Sequence, residues 1–400
     1  MRQRQEIQGM PRPPGLIRTD DAYWDGIAAQ YVVSQDFINL ENGYFGIEAE
    51  PVFAAFQRYQ REIHDLNSAF LRLHWPQRLA HVMQVLARFC GVSPEELHVT
   101  RNAVESMNIL VQGYPFKPGE AILMAQHDYD SVGEAADMVA ERKSLSVRRI
   151  AVPLDPQSDG EIVSLYEQAL TPSTRVIVLT HIVHRTGQIM PVARIAAMAR
   201  ARGVDVFVDS AHAFAQLDIQ LPELGVDFIG ANLHKWLGAP LGVGLLYIRR
   251  ERVRDIAPLF GDRSHALDDI RKFSHVGTVP PASILAIEDA IAFHEQIGSA
   301  NKEARLRELK EYWVGKARSI PRVTLLTPRD PQRACAIAAF RIEGMQAQAV
   351  ADLLLRDHGI FTVVREIEGG QGVRVTPHLY TSKPQLDRLV QALQQITASL

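Results

Sequence analysis

The feature that most limits what this chain can fold into is a series of short, mainly apolar segments between about residues 51 and 247, most of them spaced by stretches of helix length. They are AILMAQ (121–126), TRVIVLTHI (174–182), VDVFVDS (204–210), GVDFIGA (225–231) and GVGLLYI (242–248). A strand that alternates apolar and polar residues buries one face, whereas a strand that is apolar throughout must be covered on both. The stretches between them read as amphipathic helices: Pro51 to Leu66, Pro76 to Cys90, Ala103 to Gln112, Ser131 to Arg142 and PVARIAAMARARG (191–203). Gly91 suits the position just past the end of the second helix. The alternation predicts a mainly parallel sheet, of the seven-stranded type, with helices on both faces.

After about residue 265 the texture changes. PPASILAIEDAIAFHEQIG (280–298) begins a long helix that continues through Asn301 to Arg318, and then come ACAIAAFRIE (334–343), a helix from Met345 to His358, strands FTVVREI (361–367) and GVRVTP (372–377), and a last helix from Pro384. Less regular alternation predicts a smaller α+β domain. With 400 residues the chain exceeds one small core. The expected division is an N-terminal arm (1–35), a large domain (36–270) and a small C-terminal domain (271–400) entered through a helical linker (280–318). MRQRQEIQGMPRPPG at the start lacks an apolar run behind its two arginines, so no secretory signal is expected, and a loose Pro-rich arm is.

Composition narrows the function classes. The formal net charge is −3, which gives no nucleic-acid or membrane-surface footprint. No apolar run approaches the ~18 residues that span a bilayer. The two cysteines, Cys90 and Cys335, sit among apolar neighbours, which points to a reduced, cytoplasmic protein. Neither HxH nor HExxH occurs among the 14 histidines, so no metal site is expected.

Four segments carry candidate chemistry. In VDSAH, Asp209 ends an apolar strand, where ligands sit in open α/β sheets, and a carboxylate there can pair with a protonated ring nitrogen; capping or ion pairing is the plainer use. In ANLHKWLGAPLGVGLLYI, Lys235 lies in an apolar stretch before a Gly-rich turn. A partly desolvated lysine has a lowered pKa and can form a Schiff base; taken alone, it could be a loop lysine at the surface. In VTRNAVESMNIL, a strand runs into a helix start near Asn102 and Ala103, and helix N-termini bind phosphate; Asn102 with Glu105 three residues on is also an ordinary capping pattern. In GVRVTPHLYTS, Arg374 sits within a strand. Its guanidinium suits an α-carboxylate, unless it faces water from an edge.

The order of phosphate loop, aromatic, Asp, Lys and carboxylate-binding Arg resembles the class V aminotransferase family of fold-type I pyridoxal-phosphate (PLP) enzymes. The stretch VDSAHAFAQLDIQLPELGVDFIGANLHKWLGAPLGVGLLYI is most similar to the isopenicillin N epimerase-like and cysteine desulfurase-like branch, over roughly residues 36 to 395. The resemblance implies pyridoxal 5′-phosphate as cofactor and an amino acid as substrate. It implies that Lys235 holds the cofactor and moves the α-proton, that Asp209 keeps the pyridine nitrogen protonated, and that His212 lies beside the ring or its 3-oxygen. Tyr129 matches the ring-stacking position, with His127 as a second candidate. Asn102, Ala103 and Val104 would hold phosphate by backbone N–H, helped by the side chains of Asn232 and His234. Thr278 resembles a threonine that reaches the neighbouring subunit's phosphate, which implies a homodimer with a shared active site. Arg374 would bind the substrate carboxylate. Two departures stand out. Val104 replaces a phosphate-binding threonine, and in HIVHRTG (181–187) His184 and Arg185 replace an Asn or Ser near the 3-oxygen, where they could tune the cofactor or bind a polar substrate tail.

Cysteine desulfurases carry a nucleophilic cysteine just before the carboxylate-binding arginine, and FTVVREIEGGQGVRVTP has none. What the resemblance leaves includes epimerases and C–S β-lyases, and the activity ranked first is a C–S β-lyase acting on an S-substituted cysteine in specialised or thiol metabolism. Epimerisation of the isopenicillin N type is the alternative, with decarboxylation or transamination behind it. A binding protein without activity is opposed by the presence of both Asp209 and Lys235. A nicotinamide-binding fold lacks its GxGxxG, since GAPLGVG enters a strand and not a helix.

Overall fold

The computed structural model describes residues 20–261, 263–367 and 369–400. The Pro-rich stretch expected to be loose lies outside the described residues. From Asp20 onward the expected arm packs. Asp20 caps helix α1 (Asp21–Ala28), which buries Trp24 and Ile27. Arg305 lies over the Trp24 ring and pairs with Asp21 at 3.1 Å, and Lys383 reaches Asp21 at 3.0 Å. The arm is thereby fastened to helices of the C-terminal part. Strand β1 (Ile38–Asn39) pairs in parallel with Ile360–Phe361.

Helices α2 (Glu50–Leu66) and α3 (Trp75–Cys90) follow. α3 ends as its sequence predicts: Gly91 takes φ 73°, and its N–H closes on the Ala87 and Arg88 carbonyls. Only glycine enters that region without a steric penalty from its β-carbon.

The large sheet is built from β2 (Leu97–Thr100), α4 (Ala103–Gly113), β3 (Ala121–Ala125), α5 (Asp130–Lys143), β4 (Ser146–Ile150), α6 (Asp159–Ala169), β5 (Thr174–Thr180), α7 (Val192–Ala201), β6 (Asp205–Asp209), β7 (Phe228–Asn232) and β8 (Gly244–Ile248). The strand order is β2-β8-β7-β6-β5-β3-β4, and every pairing is parallel except the two made by β8. This is the mainly parallel, seven-stranded sheet that the apolar segments predict. Every residue of β3, β7 and β8 is buried, as a sheet covered on both faces demands. Each fully buried Val, Leu, Ile or Phe contributes roughly 1.5–3 kcal/mol from apolar burial.

The C-terminal part comprises α8 (Pro281–Leu285), α9 (Ile287–Ile297), α10 (Ser299–Ala317), β9 (Val323–Leu325), β10 (Ala338–Ile342), α11 (Ala347–His358), β11 (Ile360–Phe361), β12 (Val363–Ile367), β13 (Gly370–Val375) and α12 (Lys383–Ala398). The segment 280–298 is two helices rather than one, because Ala286 takes ψ −5° between α8 and α9. An antiparallel sheet β12-β13-β10-β9 packs on α10, α11 and α12 around Trp313, Phe340 and Leu393. Ile38 and Leu40 belong to this second core, although the expected boundary puts them in the large domain. Among the described residues, no helix is long and apolar enough to cross a membrane.

Candidate active site

The carboxyl ends of β2, β3, β5, β6 and β7 share one edge of the large sheet. The loop Glu41–Gly46 and strand β13 reach the same place from the second core. Strand ends bring side chains into position because each backbone N–H and C=O upstream is already bound within the sheet.

Lys235 follows β7 and is partly exposed. Its Nζ lies 3.2 Å from His212 Nε2, and the Trp236 indole N–H donates to His212 Nδ1 at 3.3 Å. Burial, and then the Arg374 charge, push the Lys235 amine well below the usual lysine range, while Asp209 and Glu41 act against that shift. The Gly46 N–H donates to the His234 carbonyl at 3.0 Å. A β-carbon at Gly46 would collide with the Lys235 carbonyl oxygen, so the loop approaches this closely only with glycine.

Asp209 ends β6 and accepts the Ala211 N–H at 2.9 Å. Burial raises its carboxyl above the usual range. Asp128, just past β3, contributes to that rise and is itself pushed up to about 6 by burial, although it accepts the Ala125 N–H at 2.7 Å and the Thr180 N–H at 2.9 Å. It ties β3 to β5 beneath the site, and sequence reasoning missed it; a lone Asp in a loop gives no sign of two backbone donors waiting for it.

At the start of α4 both readings of Asn102 apply at once. It is the N-cap, accepting the Glu105 N–H at 2.9 Å. The Ala103 N–H is taken by Asn232 Oδ1 at 2.8 Å, so Asn232 acts first as an acceptor that fixes the helix start. The Val104 N–H has no protein acceptor among the described residues, and the helix dipole reinforces it. Gly244 permits this packing, because a β-carbon there would lie 2.5 Å from Asn102 Cα. His234 Nδ1 sits 2.8 Å from the Val243 carbonyl, so that N–H is spent on the backbone and Nε2 is the atom left for a ligand. Thr278 is exposed, and among the described residues no hydrogen bond joins it to this site.

Arg374 is 1 % exposed, which overturns the plain reading of an edge arginine facing water. Its Nε and Nη2 clasp the Glu41 carboxylate, and its Nη1 donates to the His184 carbonyl at 2.8 Å. Arg365 stands 3.9 Å from Glu41 as well. The terminal edge of a guanidinium clasped this way still carries N–H donors for a second carboxylate. Gly43 lies over the face of the guanidinium: a β-carbon there would lie 2.7 Å from Nη2 and 2.8 Å from Cζ. Neither Glu41 nor Gly43 was singled out from the sequence; the paired glycines of ENGYFG were the available sign.

The Tyr129 ring meets the His184 ring edge-on, centroids 5.1 Å apart. Burial, then Arg374 and Arg185, hold His184 far below the usual histidine range. Arg185 pairs with Asp130. Arg185 and His127 both line a neighbouring cleft of about 450 Å³ with Gln188, Leu326 and Glu366. Thus Lys235, Asp209, His212, Asn102, Ala103, Val104, Asn232, His234, Tyr129, His184 and Arg374 converge, while Thr278 stands apart.

The donor set fits PLP. A helix start with an available N–H suits a phosphate, a buried carboxylate suits a pyridinium nitrogen, and an amine of lowered pKa suits an aldehyde. The aminotransferase class-V family model matches residues 51–388. The isopenicillin N epimerase of Streptomyces clavuligerus is 28% identical over 394 residues, spanning 94% of this chain and 99% of its own. Two structures of C-DES share the fold at 22% identity. One is a mutant with glycine covalently linked to the PLP cofactor (TM-score 0.83, covering 92% of this chain and 98% of that one). The other is this cystine C–S lyase with its product cysteine persulfide (TM-score 0.81, covering 90% and 98%).

Proposed function

The chain belongs to the class V aminotransferase family of PLP-dependent enzymes, and we propose that it is a C–S β-lyase that splits an S-substituted cysteine into a thiol, pyruvate and ammonia. The observation that carries this reading is the combination of one amine of lowered pKa, Lys235, poised beside His212, with no thiol at the site. Cys335 is buried against the Gln216 and Glu303 carbonyls, and burial pushes its thiol up to about 12. Cys90 is likewise buried, its thiol pushed above the usual range. A persulfide-forming nucleophile is therefore not what this chain offers.

When bound, PLP supplies an electron sink that weakens the bonds at Cα of the amino acid it holds. Asp209 would pair with its ring nitrogen and keep a proton there. The N-terminus of α4, with Asn232 and His234, would hold the phosphate. Arg374 would take the α-carboxylate on its terminal edge, with Glu41 and the His184 carbonyl keeping the guanidinium still. Lys235 Nζ would remove the α-proton, the Cβ–S bond would break with its electron pair going to sulfur, and water would complete the release of pyruvate and ammonia. We also propose that the enzyme is a homodimer, with the exposed Thr278 reaching the phosphate end of a second copy's site.

A second reading, epimerisation, is favoured by the Tyr129–His184 pair, which could supply an acid opposite Lys235, and by the near full-length similarity to isopenicillin N epimerase. The test is to add S-substituted L-cysteines to the purified holoenzyme and follow the visible band together with pyruvate and thiol. Equal amounts of pyruvate and thiol support the lyase. Band shifts with inversion at Cα in heavy water, and no pyruvate, replace it with the epimerase.

A further inference from the structure

We infer that Trp236 is a positioning residue that fixes the tautomer of His212, so that His212 is a standing hydrogen-bond donor toward Lys235 and not a proton acceptor there. The inference goes beyond the proposed reaction and holds whichever bond at Cα or Cβ is broken.

The argument runs through donor and acceptor capacities. An indole N–H donates only. At 3.3 Å its partner must be a lone pair, so His212 Nδ1 carries no proton. The residue is 4 % exposed, and burial first, with Arg374 and Arg365 adding to it, holds the ring neutral. A neutral imidazole without a proton on Nδ1 has one on Nε2. Nε2 lies 3.2 Å from Lys235 Nζ. Two donors cannot face each other at that distance, so Nζ offers its lone pair and is an uncharged amine. His212 then cannot take the α-proton on this face, which leaves that task to Lys235. The same Nε2–H remains a donor toward whatever nitrogen or oxygen PLP brings beside Lys235.

Trp236 is itself tightly placed. It is fully buried, its carbonyl accepts a hydrogen bond from Lys302 Nζ, and its ring stacks on His378 at 5.5 Å and 13°. His378 stacks in turn on Tyr380 at 4.8 Å. Both lie just past β13, the strand that carries Arg374. One short segment therefore sets the carboxylate-binding arginine and, through the indole, the proton on His212.

The experiment uses the holoenzyme. Nitrogen-15 NMR of histidine-labelled wild type, with the His212 signals assigned by their loss in His212→Gln, should show a protonated Nε2 and a bare Nδ1. Trp236→Phe keeps the stacked ring and removes the N–H. Its His212 should become a tautomer mixture, and the pH midpoint of the visible cofactor band should rise, by at most about one unit, the worth of one hydrogen bond to the uncharged nitrogen. A Trp236→Phe protein with a lower melting temperature but the wild-type midpoint would reduce Trp236 to packing and overturn the inference. So would a wild-type His212 protonated on Nδ1, a result that needs no folded variant.

Discussion

Replacing Gly43 with alanine asks whether Arg374 is held in one place for a substrate carboxylate. The added β-carbon would lie 2.7 Å from Nη2, 2.8 Å from Cζ and 3.1 Å from Nη1 of Arg374. Comfortable contact between heavy atoms is about 3.5–4.0 Å, so the guanidinium must retreat by roughly half an ångström or more. The end of a free arginine would do so at little cost. Arg374 is not free: it is 1 % exposed, clasped by Glu41, and bound to the His184 carbonyl at 2.8 Å. Retreat stretches or breaks a hydrogen bond to a charged group, worth about 1.5–3 kcal/mol. At about 1.4 kcal/mol per tenfold, that is about a ten- to hundredfold loss of affinity for the amino acid. Gly43 lies outside the left-handed region, so alanine brings no backbone strain and the effect is steric. The assay is titration of the holoenzyme's visible band with S-methyl-L-cysteine, together with kcat and KM. We expect a raised Kd and KM, a smaller change in kcat, and an unchanged band before ligand is added. A Kd within twofold of wild type, in a protein of unchanged melting temperature, would refute the carboxylate role of Arg374.

Two further outcomes follow from the same geometry. Lys235→Ala should lose the visible band that borohydride bleaches and traps in the wild type, and a retained, reducible band would remove Lys235 from its assigned place. Asp128, buried and pushed up to about 6 from an ordinary 3.8, stabilises the fold most when protonated. Because its folded pKa is the higher one, its contribution is complete below about pH 4 and fades as pH rises through 6, a swing of about 3 kcal/mol at 1.36 kcal/mol per unit. Asp128→Asn should therefore flatten the melting-temperature profile between pH 4 and 6. It should also cost about 1–3 kcal/mol in the acid range, since one amide oxygen must serve two backbone donors. An unchanged slope would show that Asp128 does not titrate there.

Where burial was continuous, the fold was legible. The apolar strands became β3, β5, β6, β7 and β8, because a run such as TRVIVLT has no polar face to give to water. What escaped is what burial does not mark. β4 (SVRRI) is the exposed sheet edge and reads as a charged loop, and α6, opened by the Ser158 cap, follows it without an apolar strand to frame it. The break at Ala286 was hidden because alanine fits equally well on either side of a change in ψ. The site divides the same way. Lys235, Asp209 and Arg374 announce themselves as charges inside apolar runs. Glu41, Gly43, Gly46 and Asp128 matter through what they meet, and Glu41 meets Arg374 from 333 positions away, a distance over which no local pattern carries information.

The same long-range meeting explains why a chain of net charge −3 builds a site for anions. Arg374, Arg365, Arg185 and Lys235 gather at one sheet edge, and the carboxylates that meet them there are Glu41, Asp209 and the outlying Asp130. His184 and His212, lodged between these cations, are held neutral first by burial and then by the positive neighbours. Each carboxylate has a specific task that keeps it from simply cancelling the field. Glu41 takes one side of Arg374 and leaves its end, and Asp209 is turned back toward the Ala211 N–H. The free end of Arg374 is therefore left positive where an α-carboxylate would lie, in a setting of low dielectric where each charge counts several times more than at the surface. Burial first, and then this positive end, favour the uncharged form of Lys235, and the same positive end favours a bound carboxylate. The amine proposed as nucleophile and base is thus tuned by burial and by the same Arg374 proposed to take its substrate's carboxylate.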